Sequence, residues 1–207
     1  VTVQPGRPTA FDHDVAGDPS QAAFWAVAAS ILPGSEVVVG NVYAGPARSG
    51  FVDVLSRMGA DITHDPISGD LTVRHSGLTG TVVTADEVPG LVDEVPILAV
   101  AAACADGQTT FEGVGELRVK ESDRLATVES ELGRMGADVR VDGDTLVVRG
   151  SALTGAEVDS HHDHRIAMAC AVAALVADGP TTIAGWDAVA TSYPTFEADL
   201  GLLRGGA

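Results

Sequence analysis

Charged side chains of both signs crowd into one short segment of the chain, Glu116–Leu125, which holds the only lysine of the 207 residues. Lys120 and Glu121 precede Arg124 by four and three residues, a spacing that predicts one shared face in the first turn of a helix. Basic residues are unfavourable at that end of a helix unless they bind an anion. A lysine, an arginine fork and a carboxylate there predict an oxyanion site with a proton-transfer group. The alternative is a surface helix start with ion pairs, capped by Ser122.

A second cluster, His161–Arg165, is rich in histidine. Adjacent side chains of a strand point to opposite faces and no cysteine lies nearby, so we predict no metal site. We expect His164 and Arg165 to stand at a helix N-terminus and to face the same surface as Lys120. The chain contains neither a GxxxxGK[ST] nor a GxGxxG motif, the two glycine-rich signatures of nucleotide binding.

The chain repeats itself with a period of about 75 residues. Leu55–Asp61 returns as Leu132–Asp138, and the Leu-Thr-Gly run at Leu78 returns at Leu153. The pattern predicts β-α-β-α-β-β units that cover residues 1–77, 78–152 and 153–207, and the last unit lacks its final two strands.

Three apolar helices also recur, and Asp18, Asp93 and Asp163 stand at their starts. An aspartate there caps free N–H groups and offsets the helix dipole. The other interpretation is that three parallel helices point their positive ends at one surface, which would attract anions. Both interpretations remain open at this point.

Composition limits the possible partners. Acidic residues number 29 and basic residues 12, and the net charge of −17 leaves no large basic face for a nucleic acid or for an anionic membrane. The apolar runs Ala22–Leu32 and Ile166–Ala177 are shorter than the roughly 20 residues of a membrane-spanning helix. Cys104 and Cys170 lie in apolar runs, so we predict buried free thiols and a reducing compartment, the cytoplasm.

The run Arg118–Arg124, RVKESDR, closely resembles the signature of the EPSP synthase (3-phosphoshikimate 1-carboxyvinyltransferase) family. Four further segments match that family in order and spacing: GDPSQAAF at 17–24, LVDEVP at 91–96, DHRIAM at 163–168 and SYPTF at 192–196. The resemblance covers essentially the whole chain. Two positions depart from the pattern of some members, which carry asparagine in place of Glu116 and lysine in place of Thr191.

The resemblance implies an α/β (α+β) fold of βαβαββ units around buried parallel helices, the inside-out α/β barrel domain of this family. Residues 1–207 would form one such domain, the C-terminal half of a two-domain enzyme that binds its substrates between the halves. The N-terminal half of the same enzyme would then be the partner, and this chain would be inactive alone.

The implied reaction transfers the enolpyruvyl group of phosphoenolpyruvate to the 5-hydroxyl of shikimate 3-phosphate, a step of chorismate and aromatic amino-acid biosynthesis. The resemblance implies no cofactor, because phosphoenolpyruvate is already activated. By resemblance, Asp93 takes the hydroxyl proton and holds the shikimate ring. Lys120 contacts the shikimate substrate near the transferring proton, and Glu121 handles the proton at the methylene carbon. The anionic groups of phosphoenolpyruvate would be clamped by Arg124 and Arg165, with His164 beside them.

Three other functions stay open on the sequence. One is a binding module of the same fold that captures phosphorylated anions without turnover. Another is a relative of UDP-N-acetylglucosamine enolpyruvyl transferase, although that family is not expected to carry the KESDR run. The third is a repeat protein whose polar cluster is a solvated helix start.

Overall fold

Three helix–strand units follow one another along the chain. The computed structural model describes residues 1–45 and 47–205, with side chains as far as residue 203. The first unit contains α1 (Pro19–Ile31), β1 (Glu36–Val39), α2 (Gly50–Arg57), β2 (Asp61–His64) and β3 (Leu71–Arg74). The second contains β4 (Val82–Val83), α3 (Val95–Ala103), β5 (Gln108–Phe111), α4 (Arg124–Arg134), β6 (Asp138–Asp142) and β7 (Thr145–Arg149). The third contains β8 (Glu157–Asp159), α5 (His164–Ala173), β9 (Thr182–Ala184) and α6 (Phe196–Gly205).

Each unit has a small sheet of its own. In the first, β3 is antiparallel to β1 on one side and to β2 on the other. In the second, the strand order is β4-β5-β7-β6, with β4 parallel to β5 and the remaining pairs antiparallel. The predicted hairpin between β6 and β7 turns at Gly143, whose φ of +57° suits glycine. The third sheet is the parallel pair β8 and β9.

The helices α1, α3 and α5 form the centre of the molecule. They are apolar on nearly every side, and every residue of α3 is buried. A helix without a polar face is stable only when it is covered all round. Glu94 at the N-terminus of α3 contacts Ser20 at that of α1 and Arg165 at that of α5, and the three helices pack against one another, so they run parallel. The predicted fold class is confirmed, whereas the unit boundaries stay a prediction.

Two of the three aspartates cap their helices. Asp18 accepts a hydrogen bond from the Ser20 N–H at 2.9 Å, and Asp163 accepts one from the Arg165 N–H at 2.9 Å. The predicted cap at Asp93 is wrong. A short 3-10 turn, Val92–Glu94, precedes α3, and the carboxylate of Asp93 makes no cap hydrogen bond. That carboxylate is therefore available to other side chains.

The repeated Leu-Thr-Gly run has a packing reason. A Cβ added to Gly80 would lie 2.2 Å from the Gln108 carbonyl oxygen, and one added to Gly155 would lie 2.2 Å from the Pro180 carbonyl oxygen. At both places the backbone of one segment passes directly over the backbone of another, where only glycine fits. This close approach brings the lead-in strands of the second and third units, β4 and β8, beside β5 and β9.

The SYPTF segment packs its aromatic side chains against α1. Phe196 is fully buried and its ring stacks on Trp25 at 5.0 Å, while Tyr193 meets Trp25 edge to face at 6.1 Å. The Trp25 indole N–H donates to the Tyr193 hydroxyl at 3.1 Å. The segment therefore attaches α6 to the central helices. No helix among residues 1–45 and 47–205 is long and apolar enough to span a bilayer.

Candidate functional site

The guanidinium of Arg124 lies fully buried among three carboxylates. Its Nε donates to Asp163 Oδ2 at 2.8 Å, its Nη1 to Asp93 Oδ1 at 3.0 Å and its Nη2 to Glu121 Oε2 at 2.5 Å. All three nitrogens are thus engaged, and a planar fork is the geometry that suits such multiple pairing. Arg124 holds together groups from three separate parts of the chain.

The helix that carries Arg124 begins later than the sequence predicts. Asp123 is the N-cap and accepts from the Ala126 N–H at 3.1 Å. Lys120 and Glu121 therefore precede α4, and the prediction that they share its first turn with Arg124 is wrong. Ser122 is not the cap either, because its hydroxyl donates to Asp163 Oδ2 at 3.1 Å.

Lys120 reaches the site from the end of a 3-10 turn, Gly115–Val119. Its Nζ lies 2.6 Å from Glu116 Oε1 and 3.5 Å from Asp93 Oδ1. The hydrogen bond to Glu116 raises the pKa of Lys120 above its ordinary value. The ammonium group is therefore charged at neutral pH and held between two carboxylates.

The carboxylate of Asp93 is the point at which three cations meet. It contacts Lys120 and Arg124 as described, and Oδ2 lies 3.9 Å from Nη2 of Arg165. Burial by itself raises the pKa of Asp93, but the charges of Arg165, Lys120 and Arg124 outweigh it and hold the pKa below its ordinary value. Asp93 is thus ionised at neutral pH.

Asp163 has a second role besides the predicted cap of α5. Besides capping α5 it pairs with Arg124, and its side chain is fully buried. Burial raises the pKa of Asp163, but the hydrogen bond and charge of Arg124 outweigh burial and lower it. The resemblance motif contains Asp163, yet sequence analysis assigned it only a cap. Its position directly before His164 and Arg165 was the available signal.

Arg165 and His164 stand in the first turn of α5, as predicted. Arg165 Nη1 donates to the Asp93 carbonyl oxygen at 3.0 Å and lies 3.5 Å from Glu94 Oε1. Burial and then the charge of Arg165 lower the pKa of His164, so the ring is neutral at pH 7. Within the described residues the His164 ring makes no hydrogen bond to protein. Of the six predicted site residues, five join one ion-pair network and His164 lies beside it.

Sequence analysis missed three residues behind this network. Glu94 is buried and accepts a short hydrogen bond from the Ser20 hydroxyl, to which Arg48 Nη2 also donates at 2.6 Å. Asp93 and Glu94 are both charged at the start of an otherwise apolar helix, and that contrast could have identified Glu94 as well. Arg48 carries no comparable signal.

The histidine cluster does not form a strand. His161 and His162 follow the end of β8 and both have left-handed backbones, with φ of 52° and 59°. The His161 ring lies 3.4 Å from the buried carboxylate of Glu131. Among residues 1–45 and 47–205 no group of three His, Cys, Asp or Glu side chains is arranged to hold a metal ion.

Comparison with known proteins identifies the family of the chain. The family model for EPSP synthase (3-phosphoshikimate 1-carboxyvinyltransferase) matches residues 1–200. Relatives named 3-phosphoshikimate 1-carboxyvinyltransferase include one from Synechocystis sp., 54% identical over 93% of this chain and 45% of its own length. Another, from Chloroflexus aurantiacus, is 46% identical over 100% of this chain and 51% of its own length.

A solved structure of EPSP synthase from Acinetobacter baumannii superposes with a TM-score of 0.84 at 43% identity. The superposition covers 88% of this chain and 44% of the Acinetobacter baumannii protein. The chain therefore spans about half the length of the relatives it matches. With a family match over residues 1–200 and relatives this similar, the chain belongs to the EPSP synthase family.

Proposed function

We propose that the protein to which this chain contributes transfers the enolpyruvyl group of phosphoenolpyruvate to the 5-hydroxyl of shikimate 3-phosphate. The chain supplies one side of the site, and we assign it to the C-terminal half with the N-terminal half of the same enzyme as its partner. The observation that carries this proposal is the single ion-pair network that joins Asp93, Lys120, Glu121, Arg124 and Arg165.

The reaction is an addition followed by an elimination. In the addition, the 5-hydroxyl oxygen bonds to the central carbon of phosphoenolpyruvate, the hydroxyl loses its proton, and the methylene carbon gains one to become a methyl group. In the elimination, the bond from that central carbon to the phosphate oxygen breaks, the methyl group returns a proton, and inorganic phosphate leaves. The two steps need a base at the hydroxyl and an acid–base group at the methylene carbon.

Asp93 suits the base at the hydroxyl, because three neighbouring cations keep it ionised. Lys120, at 3.5 Å from Asp93, suits contact with the shikimate substrate near the transferring proton. Glu121 suits the proton exchange at the methylene carbon, because its side chain is 51% exposed while its carboxylate remains beside Arg124. These carboxylates stand on different segments and reach the same space.

Arg124 and Arg165 suit the anionic groups of phosphoenolpyruvate, with the neutral His164 beside them. The two arginines differ in availability. Arg124 has all its nitrogens engaged, so a substrate must displace a carboxylate to bind it. Arg165 has only Nη1 engaged among the described residues, and its remaining donors suit direct binding.

The test is a phosphate-release assay with phosphoenolpyruvate and shikimate 3-phosphate. The chain is measured alone and then mixed with the complementary half of the protein. We expect turnover only in the mixture, because the reacting groups must be held in one geometry from both sides. Glu121→Gln in the mixture should lower kcat by roughly a hundredfold or more, the usual contribution of an acid–base group.

Glu157→Gln is the matched control, because Glu157 is an exposed carboxylate on β8 that contacts none of the site residues. It should leave turnover unchanged. If both pieces fold and associate but release no phosphate, the transferase proposal is refuted. Phosphate bound without turnover would then favour a module that captures phosphorylated anions.

A further inference from the structure

Glu94 is a buried carboxylate that the proposed reaction does not use. It is 1% exposed and directly follows Asp93, but its side chain points to the junction of the three central helices. There the Ser20 hydroxyl of α1 donates to Oε1, and Nη1 of Arg165 on α5 lies 3.5 Å from the same oxygen. Arg48 reinforces the arrangement by donating to Ser20 at 2.6 Å.

Stability alone does not account for this carboxylate. Burial raises the pKa of Glu94 despite the nearby hydroxyl and arginines, so its charge is held at a cost. Well-packed apolar residues can replace a buried ion pair with no loss of stability, and often with a gain. We therefore look for the reason for a glutamate at this position in the side chain that it contacts.

The group that Glu94 holds is the guanidinium of Arg165. Nη1 is fixed between Glu94 and the Asp93 carbonyl oxygen, at 3.5 and 3.0 Å. In the described part of the chain Nε and Nη2 have no hydrogen-bond partner, and Nη2 lies 3.9 Å from Asp93 Oδ2. An arginine that is fixed by one nitrogen presents the other two in a defined plane, which is the geometry for bidentate binding of a carboxylate or phosphate.

We propose that Glu94 is a positioning residue that fixes the Arg165 guanidinium, with Ser20 and Arg48 holding Glu94 in turn. The inference rests on the proposed function in one respect, that Arg165 binds an anionic group of the substrate. Fixing the fork beforehand removes the cost of ordering a long side chain when the anion arrives. Glu94 itself does not touch the substrate.

The first test needs no activity. In the chain labelled with ¹⁵N-arginine, the Arg165 guanidinium signals are identified by their loss in Arg165→Lys. Restricted rotation should give separate Nη signals in the wild type, and Glu94→Gln should merge them because the fixed contact is weakened. Glu87→Gln is the matched control, since Glu87 forms a Glu–Arg pair with Arg57 at 2.8 Å outside the site.

The second test separates positioning from a merely structural role. In the reconstituted protein, Glu94→Gln should raise KM for phosphoenolpyruvate by roughly threefold to tenfold, the cost of ordering one side chain, with kcat little changed. A structural role would instead reduce the amount of active protein and leave KM unchanged. Where Glu94→Gln fails to fold, Ser20→Ala should shift the same signals in the same direction.

The results distinguish this inference from the proposed function. Unchanged Arg165 signals in a folded Glu94→Gln chain would overturn the positioning role. Inactive wild-type pieces would refute the transferase, while the guanidinium signals would still decide whether Glu94 fixes Arg165. Merged signals together with an unchanged KM would show a contact that does not serve binding, and would also overturn the inference.

Discussion

Asp163→Asn separates two functions of one carboxylate, the cap of α5 and the ion pair with Arg124. Asparagine caps a helix about as well as aspartate, so the cap is kept. In the wild type, Asp163 and Arg124 are both fully buried and share hydrogen bonds of 2.8 and 3.4 Å. Asparagine carries no charge, so the variant loses this ion pair. The change in stability therefore reports on the pair.

The magnitude follows from what remains around Arg124. Removing one partner of a buried ion pair costs about 3–5 kcal/mol, because the other charge stays buried without compensation. Arg124 keeps Asp93 and Glu121, so we expect the lower end of that range, about 3 kcal/mol. For a chain of this length, the loss corresponds to a melting temperature lowered by roughly 6–12 °C.

The assay is urea unfolding at pH 7 followed by tryptophan fluorescence. Asp18→Asn is the matched control, because Asp18 caps α1 but forms no ion pair among the described residues. It should change the free energy of unfolding by only a few tenths of a kcal/mol, roughly the difference between two good caps. Equal losses in the two variants would refute the argument that the Arg124–Asp163 pair holds the site.

A pH series gives an independent check. The pKa of Asp163 is lower in the folded protein than in the unfolded chain, so its stabilisation is present above the unfolded value of about 4. This stabilisation is lost as the pH falls through the lower pKa that Asp163 has in the folded protein. The difference in free energy of unfolding between wild type and Asp163→Asn should therefore have its full value at pH 7 and should become smaller below about pH 4.

Three further changes test the packing. Gly80→Ala should lower the free energy of unfolding in urea by about 1–3 kcal/mol, because the added Cβ would lie 2.2 Å from the Gln108 carbonyl oxygen. Gly77→Ala is the control and should not lower it, because no atom lies within 4 Å of a Cβ there. His162→Gly should stabilise by up to about 1 kcal/mol in the same assay, since glycine relieves the φ of 59°. Phe196→Ala should cost about 3–5 kcal/mol and shift tryptophan emission to the red, because the stacked indole becomes exposed.

The features that the sequence predicts correctly are local ones. The three apolar helices, the caps at Asp18 and Asp163 and the turn at Gly143 each depend on residues within a few positions of one another. The internal repeat adds the element order β-α-β-α-β-β, which the second unit follows, whereas the described residues of the first unit show no lead-in strand before α1. The family resemblance names six candidate site residues, and five of them lie in one ion-pair network with His164 beside it.

The features that the sequence does not predict depend on contacts between distant segments. The spacing of Lys120 and Arg124 indicates one helix face, but Lys120 is drawn towards Asp93 and lies before α4. Asp93 starts no helix, because a 3-10 turn directs its carboxylate to the cations. Glu94 contacts Ser20 across 74 positions of the chain, a separation at which no local pattern predicts the contact.

The charge balance at the site bears on how a chain with a net charge of −17 would receive the anionic substrate proposed for it. Sequence analysis allowed for a surface of free positive charge, yet Lys120, Arg124 and Arg165 are each paired with carboxylates of the chain. At Arg124, whose nitrogens are all engaged, an anion can bind only by replacing one of these partners. Glu121 is the easiest to displace from Arg124, since its side chain is 51% exposed and Asp163 is fully buried. A Glu121 carboxylate displaced from Arg124 by the proposed substrate would lie free beside that substrate. The exchange of partners at Arg124 would thus release the group to which we assign the proton transfer.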